Sequence, residues 1–217
     1  ALGGRGVARG SATLISGGTG TGKTSIGLHF LAGASDESPA VMFGFFDPPD
    51  ALMAMAERYR LPLAPLRKRG LLTLDWRELG DETLDELGHR MLKAIDSHSA
   101  KRVVVDSITA FFNASSFPER GHRFAGALLN EFRRREVTSM FMLEPRDEPQ
   151  VGLSASTEGI GKFFDNVVSL RFVDDGTRLR RQLSVIKVRR GPVDDRKLEV
   201  EIGAAGVSVI NPERHPG

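Results

Sequence analysis

Short apolar runs recur along the chain, and polar or amphipathic segments separate them. Nearly continuous apolar runs of this length are typical of strands that are buried on both faces of a parallel sheet. They predict strands over residues 12–16, 40–46, 101–106, 137–143 and 166–172.

Helical patterns lie between these runs. They cover residues 25–34, 50–59, 81–97 and 120–135. In the third of them, Leu84, Leu87, Met91 and Ile95 share one face, as a helix packed on a sheet requires. Because strands and helices alternate, the sequence predicts an α/β fold with a mostly parallel sheet flanked by helices.

The last part of the chain has a different pattern. Residues 183–188, 197–202 and 207–210 read as strands joined by short turns, and the segment from Gly203 to Gly206 resembles a hairpin turn. We therefore expect a C-terminal antiparallel extension of the sheet. Repeats and interdomain linkers are not evident, so residues 1–217 are predicted to form a single domain.

The segment from Gly17 to Thr24 fits the pattern G-x-x-x-x-G-K-T between a predicted strand and a predicted helix. In this pattern, backbone N–H groups wrap a phosphate at a helix N-terminus, and glycines permit the close approach. Lys23 would lie along the β- and γ-phosphates, and the Thr24 hydroxyl would bind Mg²⁺. The predicted nucleotide contacts are Gly18, Thr19, Gly20, Thr21, Gly22, Lys23, Thr24 and Ser25. The alternative is a flexible turn that matches by chance.

Asp106 follows three branched apolar residues and stands at the carboxyl end of a predicted strand. Parallel α/β sheets place ligand chemistry at that end, and nucleotide hydrolysis needs a second acidic group to hold Mg²⁺ or its water shell. Asp106 and Thr24 are therefore the predicted metal site. A helix cap or turn residue is the alternative interpretation of Asp106.

The composition limits the cellular location and the partners that can be expected. The 217 residues include no cysteine, which excludes disulfides and thiolate zinc sites and favours a cytoplasmic location. No apolar run is long enough for a membrane span, so no membrane partner is expected. A net charge of +2 with a pI of about 9.2 is only mildly basic, so nucleic acid remains a possible but unfavoured partner.

Later segments carry a more specific resemblance. The stretches "FGFFDPPDAL", "RVVVDSITAF", "FFDNVVSLR" and "LSVIKVRRG" follow the phosphate loop in the order and spacing of RecA-like ATPases. They most resemble the KaiC-like family of that superfamily, over nearly the whole chain. The resemblance implies a RecA-like P-loop NTPase fold that binds ATP and Mg²⁺. It also implies a homo-oligomer, usually a hexameric ring, with nucleotide held between neighbouring subunits.

The sequence departs from this family after the second predicted strand. Family members usually carry two adjacent glutamates there, which act on the attacking water, whereas this chain has Phe46-Asp47. Asp47 alone remains as a candidate base, and its alternative role is to open the Pro48-Pro49 turn. Glu144 also matches an acidic position of the family and could sense the γ-phosphate through water, or be a solvated strand end.

Lys187 and Arg189 are predicted to project to the same face of their strand, because strand side chains alternate. The resemblance implies that this K-x-R pair reaches the nucleotide site of a neighbouring subunit and adds positive charge there. The alternative is a solvated edge-strand pair that discourages aggregation. The predicted catalytic set is Lys23, Asp47, Asp106, Glu144, Lys187 and Arg189.

Three functions stay open at this point. The favoured one is a regulatory, slowly hydrolysing ATPase that acts as an oligomer. The others are a DNA-handling motor of the RecA or ring-helicase type, and a nucleotide-binding assembly module with little turnover. The sequence lacks an interleaved aromatic and basic stretch for stacking single-stranded bases, which counts against the motor.

Overall fold

The computed structural model describes residues 6–78, 82–114, 117–145, 159–189, 191–193 and 196–210. Within these residues one sheet has the strand order β3-β2-β4-β5-β1-β6-β7-β8-β9. The strands are β1 Ala12–Gly17, β2 Ala40–Gly44, β3 Leu72–Trp76, β4 Arg102–Asp106, β5 Thr138–Leu143, β6 Asn166–Asp174, β7 Leu179–Val188, β8 Leu198–Gly203 and β9 Gly206–Ile210. The helices are α1 Lys23–Leu31, α2 Pro49–Arg58, α3 Leu63–Lys68, α4 Leu84–Ser97, α5 Thr109–Asn113 and α6 Pro118–Arg134.

The sheet confirms the predicted fold class. Strands from β3 to β6 in this order pair in parallel, and β6, β7, β8 and β9 pair antiparallel. The turn between Gly203 and Gly206 joins β8 to β9, so the predicted hairpin is confirmed. None of the helices among the described residues is both long and apolar enough to cross a lipid bilayer.

Alternating strand residues face two hydrophobic layers, one on each side of the sheet. On β4, Val103 and Val105 pack with α4, α5 and α6, whereas Val104 packs with α1, α2 and α3. This two-sided burial explains why the central strands are continuously apolar. Each fully buried side chain of this size contributes about 1.5–3 kcal/mol to folding.

The predicted face of α4 is confirmed, since Leu84, Leu87, Met91 and Ile95 are all buried. The helix begins after Thr83, whose hydroxyl accepts a hydrogen bond from the Glu86 N–H while the Glu86 carboxylate accepts one from the Thr83 N–H. This reciprocal cap stabilises the start of the helix by about 1 kcal/mol.

The strand predicted over residues 40–46 was too long, because β2 ends at Gly44. The Phe45 N–H donates to the Asp106 carbonyl oxygen at 3.2 Å, and the chain then turns outward before α2 begins at Pro49. Phe46 and Asp47 are consequently exposed. The sequence analysis also missed β3, α3 and α5.

Sheet topology brings the predicted site residues to one edge. In the strand order, β5 lies between β1 and β4, and all three are parallel. Their carboxyl ends therefore lie side by side, with Gly17, Glu144 and Asp106 at or just beyond them. Gly44 at the end of β2 pairs with Asp106, so the segment after β2 joins the same edge.

Candidate functional site

The loop between β1 and α1 has the backbone geometry that the sequence pattern predicts. Gly20 and Gly22 have φ angles of 78° and 104°, which favour glycine over other residues. A Cβ at Gly17 would lie 2.7 Å from the Leu170 carbonyl oxygen of β6, so a side chain there would collide with backbone. The loop thus has the positive φ angles of a tight turn and packs closely against β6.

Lys23 lies beneath this loop and is buried. Its Nζ donates to the carbonyl oxygens of Gly17 at 2.8 Å and Gly18 at 2.9 Å. Burial lowers the pKa of Lys23, while the nearby carboxylates of Glu144 and Asp106 act in the opposite direction. An anion at the loop would give this ammonium a stronger partner than two neutral carbonyls.

Thr24 and Asp106 are joined directly, although 82 positions separate them in the sequence. The Thr24 Oγ1 donates to the Asp106 Oδ2 at 2.7 Å. Burial raises the pKa of Asp106; the Thr24 hydrogen bond and Lys23 lower it, and the charges of Asp47 and Glu144 raise it further. A hydroxyl and a carboxylate at this distance fit Mg²⁺, which prefers hard oxygen ligands and is usually bound by few protein groups.

Glu144 contacts the phosphate loop. It follows the end of β5, and its Oε1 accepts a hydrogen bond from the Thr19 Oγ1. Its charge acts on both Lys23 and Asp106. The structure therefore brings Glu144 into the predicted group.

Asp47 lies close enough to Asp106 for its charge to raise the pKa of that carboxyl. It also stands two residues before α2, whose first position is Pro49 and whose preceding residue Pro48 makes no side-chain cap. Both interpretations of Asp47 from the sequence thus keep a structural basis. The Phe46 side chain is 56% exposed beside it.

Lys187 and Arg189 lie at the opposite edge of the sheet. Val188 of β7 pairs with Asn166, and Asn166 pairs with Thr13 near the amino end of β1. The Lys187 Nζ donates to the carbonyl oxygens of Gly161 at 3.0 Å and Phe164 at 2.8 Å, and the Arg189 Nη2 donates to that of Lys162 at 2.8 Å. Within one chain, therefore, this pair is not brought to the phosphate loop.

Ser25, predicted to contact nucleotide, is buried near the start of α1, and its hydroxyl lies 3.2 Å from the Tyr59 hydroxyl. Its side chain is thus committed to an internal contact. The sequence analysis did not anticipate Tyr59 in this role, because nothing in the local pattern links the end of α2 to α1.

Arg181, Phe172 and Ile202 also border the loop and were missed as site residues. The Arg181 Nε donates to the Gly20 carbonyl oxygen at 3.1 Å, and its guanidinium lies 5.1 Å from the centre of the Phe172 ring. A Cβ at Gly22 would lie 2.6 Å from the Ile202 Cδ1. The cluster of arginines at residues 178–181 was a signal, but the antiparallel register that pairs Arg181 with Phe172 was needed to interpret it.

The chain was also compared with known proteins. A sequence profile of the KaiC ATPase matches residues 1–214. The circadian clock oscillator protein KaiC of Nostoc sp. is 33% identical over 85% of this chain and 37% of its own length. That of Parasynechococcus marenigrum is 30% identical over 94% of this chain and 42% of its own length. The chain thus spans less than half of the length of these relatives.

The profile match extends over nearly the whole sequence. It agrees with the observed nine-stranded, mostly parallel sheet and with a phosphate loop whose Thr24 is bonded to the carboxylate at the end of β4. The chain belongs to the KaiC family of ATPases and has a RecA-like P-loop fold.

Proposed function

We propose that this chain binds ATP with Mg²⁺ at the loop from Gly17 to Thr24 and hydrolyses it slowly. The observation that carries the proposal is the Thr24–Asp106 hydrogen bond of 2.7 Å beside the buried Lys23. It joins the phosphate loop to the acidic strand end, and these are the two elements that nucleotide hydrolysis requires. Membership of an ATPase family supports the same chemistry.

Each group of the site has a separate task in this proposal. The loop N–H groups and the start of α1 hold the phosphates, and Lys23 exchanges the Gly17 and Gly18 carbonyls for phosphate oxygens. Thr24 and Asp106 would hold Mg²⁺, which neutralises charge that develops on the phosphoryl oxygens. Arg181, Phe172 and Ile202 form a cationic and apolar rim beside the loop where the base of the nucleotide would lie.

Slow turnover is proposed because one acid stands where the family usually has two. Asp47 is the group that would accept a proton from, or orient, the attacking water, since Phe46 has no polar atom in its side chain. The same substitution favours a second candidate function, an assembly module in which nucleotide is bound and rarely hydrolysed. The two candidates differ only in the rate of phosphate release.

The oligomeric part of the proposal rests on the position of Lys187 and Arg189. They lie at the edge opposite the phosphate loop, and the Arg189 side chain is 45% exposed. A head-to-tail ring of the hexameric kind would bring that edge of one subunit to the loop of the next. We propose that the pair acts there, in trans, and that the ring regulates partners through its conformation.

A cytoplasmic location likewise stays a prediction.

The deciding experiment measures phosphate release and particle mass together. We expect slow, Mg²⁺-dependent release of phosphate and a larger mass with ATP than without it. The Lys23→Ala chain should lose both, because it removes the buried cation of the loop. Release that is undetectable while the mass still rises would favour the assembly module, and strong stimulation by single-stranded DNA would favour the motor. Unchanged ATP affinity in Lys23→Ala would contradict the binding site itself.

A further inference from the structure

One face of α1 carries a contact that ATP hydrolysis does not explain. Gly22, Ser25 and His29 follow one another at spacings of three and four residues, so they lie along one stripe of the helix and its cap. The stripe runs from the phosphate loop toward the C-terminal end of α1. Tyr59 covers its middle, and the hairpin formed by β8 and β9 covers both of its ends.

At the C-terminal end of the stripe, His29 forms a hydrogen bond with the backbone of the hairpin. His29 Nε2 accepts from the Val207 N–H at 2.9 Å, and the imidazole ring stacks on Tyr59 with 6.3 Å between ring centres. The neighbouring Gly206 has a φ of 82°, and a Cβ there would collide with the imidazole. The hairpin backbone is thus seated directly on the ring of His29.

The other end of the stripe touches the phosphate loop. Ile202, four residues before Gly206 in the same hairpin, packs its Cδ1 against Gly22, the residue that precedes Lys23. β8 also pairs with β7, where Val200 lies opposite Arg181, and Arg181 donates to the Gly20 carbonyl. The position of the hairpin therefore sets part of the wall beside the loop.

We propose that neutral His29 is a positioning residue that holds the β8–β9 hairpin against the phosphate loop, and that protonation of His29 releases the hairpin and weakens ATP binding. The part of this inference that concerns ATP binding rests on the proposed function. An imidazole that accepts at Nε2 carries its proton at Nδ1, and the protonated ring would direct a second N–H at the Val207 N–H.

The surroundings of His29 suit a neutral ring. The titratable group that faces the imidazole from α2 is the Tyr59 phenol, and the hairpin presents backbone to it. Burial lowers the pKa of His29 from its ordinary value. Because that pKa is lowered in the folded chain, the stabilisation is complete above the unfolded value of about 6.5 and is lost as the pH falls through the folded value.

Hydrogen exchange at the Val207 amide tests the contact without any nucleotide. His29→Gln retains an acceptor near the position of Nε2, whereas His29→Leu removes it at similar volume. We expect the protection factor of Val207 to fall about two- to tenfold in the leucine chain, the range of one neutral hydrogen bond, and to recover in the glutamine chain. Equal protection of Val207 in the wild-type and leucine chains would overturn the proposal that His29 holds the hairpin.

Binding of ATP and of inorganic tripolyphosphate tests the consequence. As the pH falls from about 8 to below the folded pKa of His29, we expect ATP affinity to fall more in the wild type than in His29→Gln, and to be low throughout in His29→Leu. Tripolyphosphate lacks a base, so its affinity should not distinguish the three chains. The same pH dependence in His29→Gln as in the wild type would overturn the proposal. If the wild type binds neither ligand, the proposed function fails. Hydrogen exchange at Val207 would still decide whether His29 holds the hairpin.

Discussion

Carboxylates crowd together around Lys23, an arrangement that a bound cation with phosphate would stabilise. Its ammonium interacts with the carboxylates of Asp106 and Glu144, and Asp47 acts on Asp106 in turn. Burial is the main cause of the raised pKa of Asp106, and like charges add to it. An acid whose pKa is raised on folding destabilises the fold once the pH rises above that pKa. Mg²⁺ with phosphate would relieve this crowding.

A substitution at Asp106 should therefore separate stability from function. Asp106→Asn keeps an acceptor for the Thr24 hydroxyl but removes the buried charge. We expect the nucleotide-free chain to melt at a temperature at least as high as the wild type, with each kcal/mol gained raising Tm by about 2–4 °C. The extra stabilisation by ATP with Mg²⁺ should disappear. Differential scanning calorimetry with and without the ligand measures both effects, and a large loss of Tm in the ligand-free chain would contradict this account of Asp106.

Asp47 offers a second test at the scale of one residue. If it accepts a proton from the attacking water, Asp47→Asn should lower the rate of phosphate release by about two to four orders of magnitude. ATP affinity should hardly change. Asp50→Asn is the matched control, because Asp50 is an exposed carboxylate in the first turn of α2. Equal rates for the wild type and Asp47→Asn would assign Asp47 to the turn before α2.

At the scale of the element, the pairing of β6 with β7 creates a feature that neither strand has alone. The register places Phe172 opposite Arg181, and the ring supports the guanidinium that donates to the phosphate loop. An aromatic ring beneath a cation contributes about 0.5–2 kcal/mol, depending on exposure. Phe172 therefore fixes the planar guanidinium of Arg181 beside the proposed position of the nucleotide base.

Replacing the ring should affect nucleotides and not phosphate chains. We expect Phe172→Ala to lower ATP affinity by about two- to tenfold, since Arg181 loses its support, and to leave tripolyphosphate affinity unchanged. Arg178→Ala serves as the control, because its side chain is 61% exposed just before β7 and bears on Asp175 instead. Isothermal titration calorimetry gives the affinities. An equal loss for ATP and tripolyphosphate would show that the ring supports the loop as a whole.

The elements that the sequence predicted are those whose pattern is local and complete. Runs such as Val103-Val104-Val105 are buried on both faces and need no partner to be interpreted. β3 was missed because most of its positions are only half-buried and include Asp75, so its sequence resembles a loop. α3 and α5 have six and five residues, which is too short for a clear helical period.

The site residues also fall into two groups, those that local motifs predicted and those that they did not. Lys23, Thr24 and the strand end at Asp106 belong to contiguous motifs, so their proximity could be predicted from the pattern and the parallel sheet. Arg181, Tyr59 and His29 act through contacts that depend on strand register and helix packing over long sequence separations. Such contacts depend on tertiary structure, so they cannot be predicted from the local pattern of one sequence.

For the whole molecule, the question is how two edges of one sheet could serve one reaction. The phosphate loop lies at the carboxyl ends of the parallel strands, whereas Lys187 and Arg189 lie near the amino end of β1. Burial, followed by the adjacent Arg189, lowers the pKa of Lys187, and Asp165 partly offsets this. Removing Arg189 should leave the local fold in place, because Asp165 keeps its bonds to the Ala12 N–H and to Arg133.

Mixed assemblies test whether the two edges meet between subunits. Asp47→Asn chains still bind ATP but lack the proposed base, Arg189→Ala chains lack the proposed cation, and we expect each to be nearly inactive alone. In a ring assembled at random from equal amounts, about one quarter of the interfaces combine an intact Asp47 from one chain with an intact Arg189 from the other, so phosphate release should recover to about one quarter of the wild-type rate. Lys162→Ala in place of Arg189→Ala is the control, because Lys162 bonds to Arg189 through its backbone carbonyl only. That chain should be active alone. No recovery at any ratio, in assemblies shown to exchange subunits, would mean that Arg189 supports its own chain and does not act on the neighbour's nucleotide.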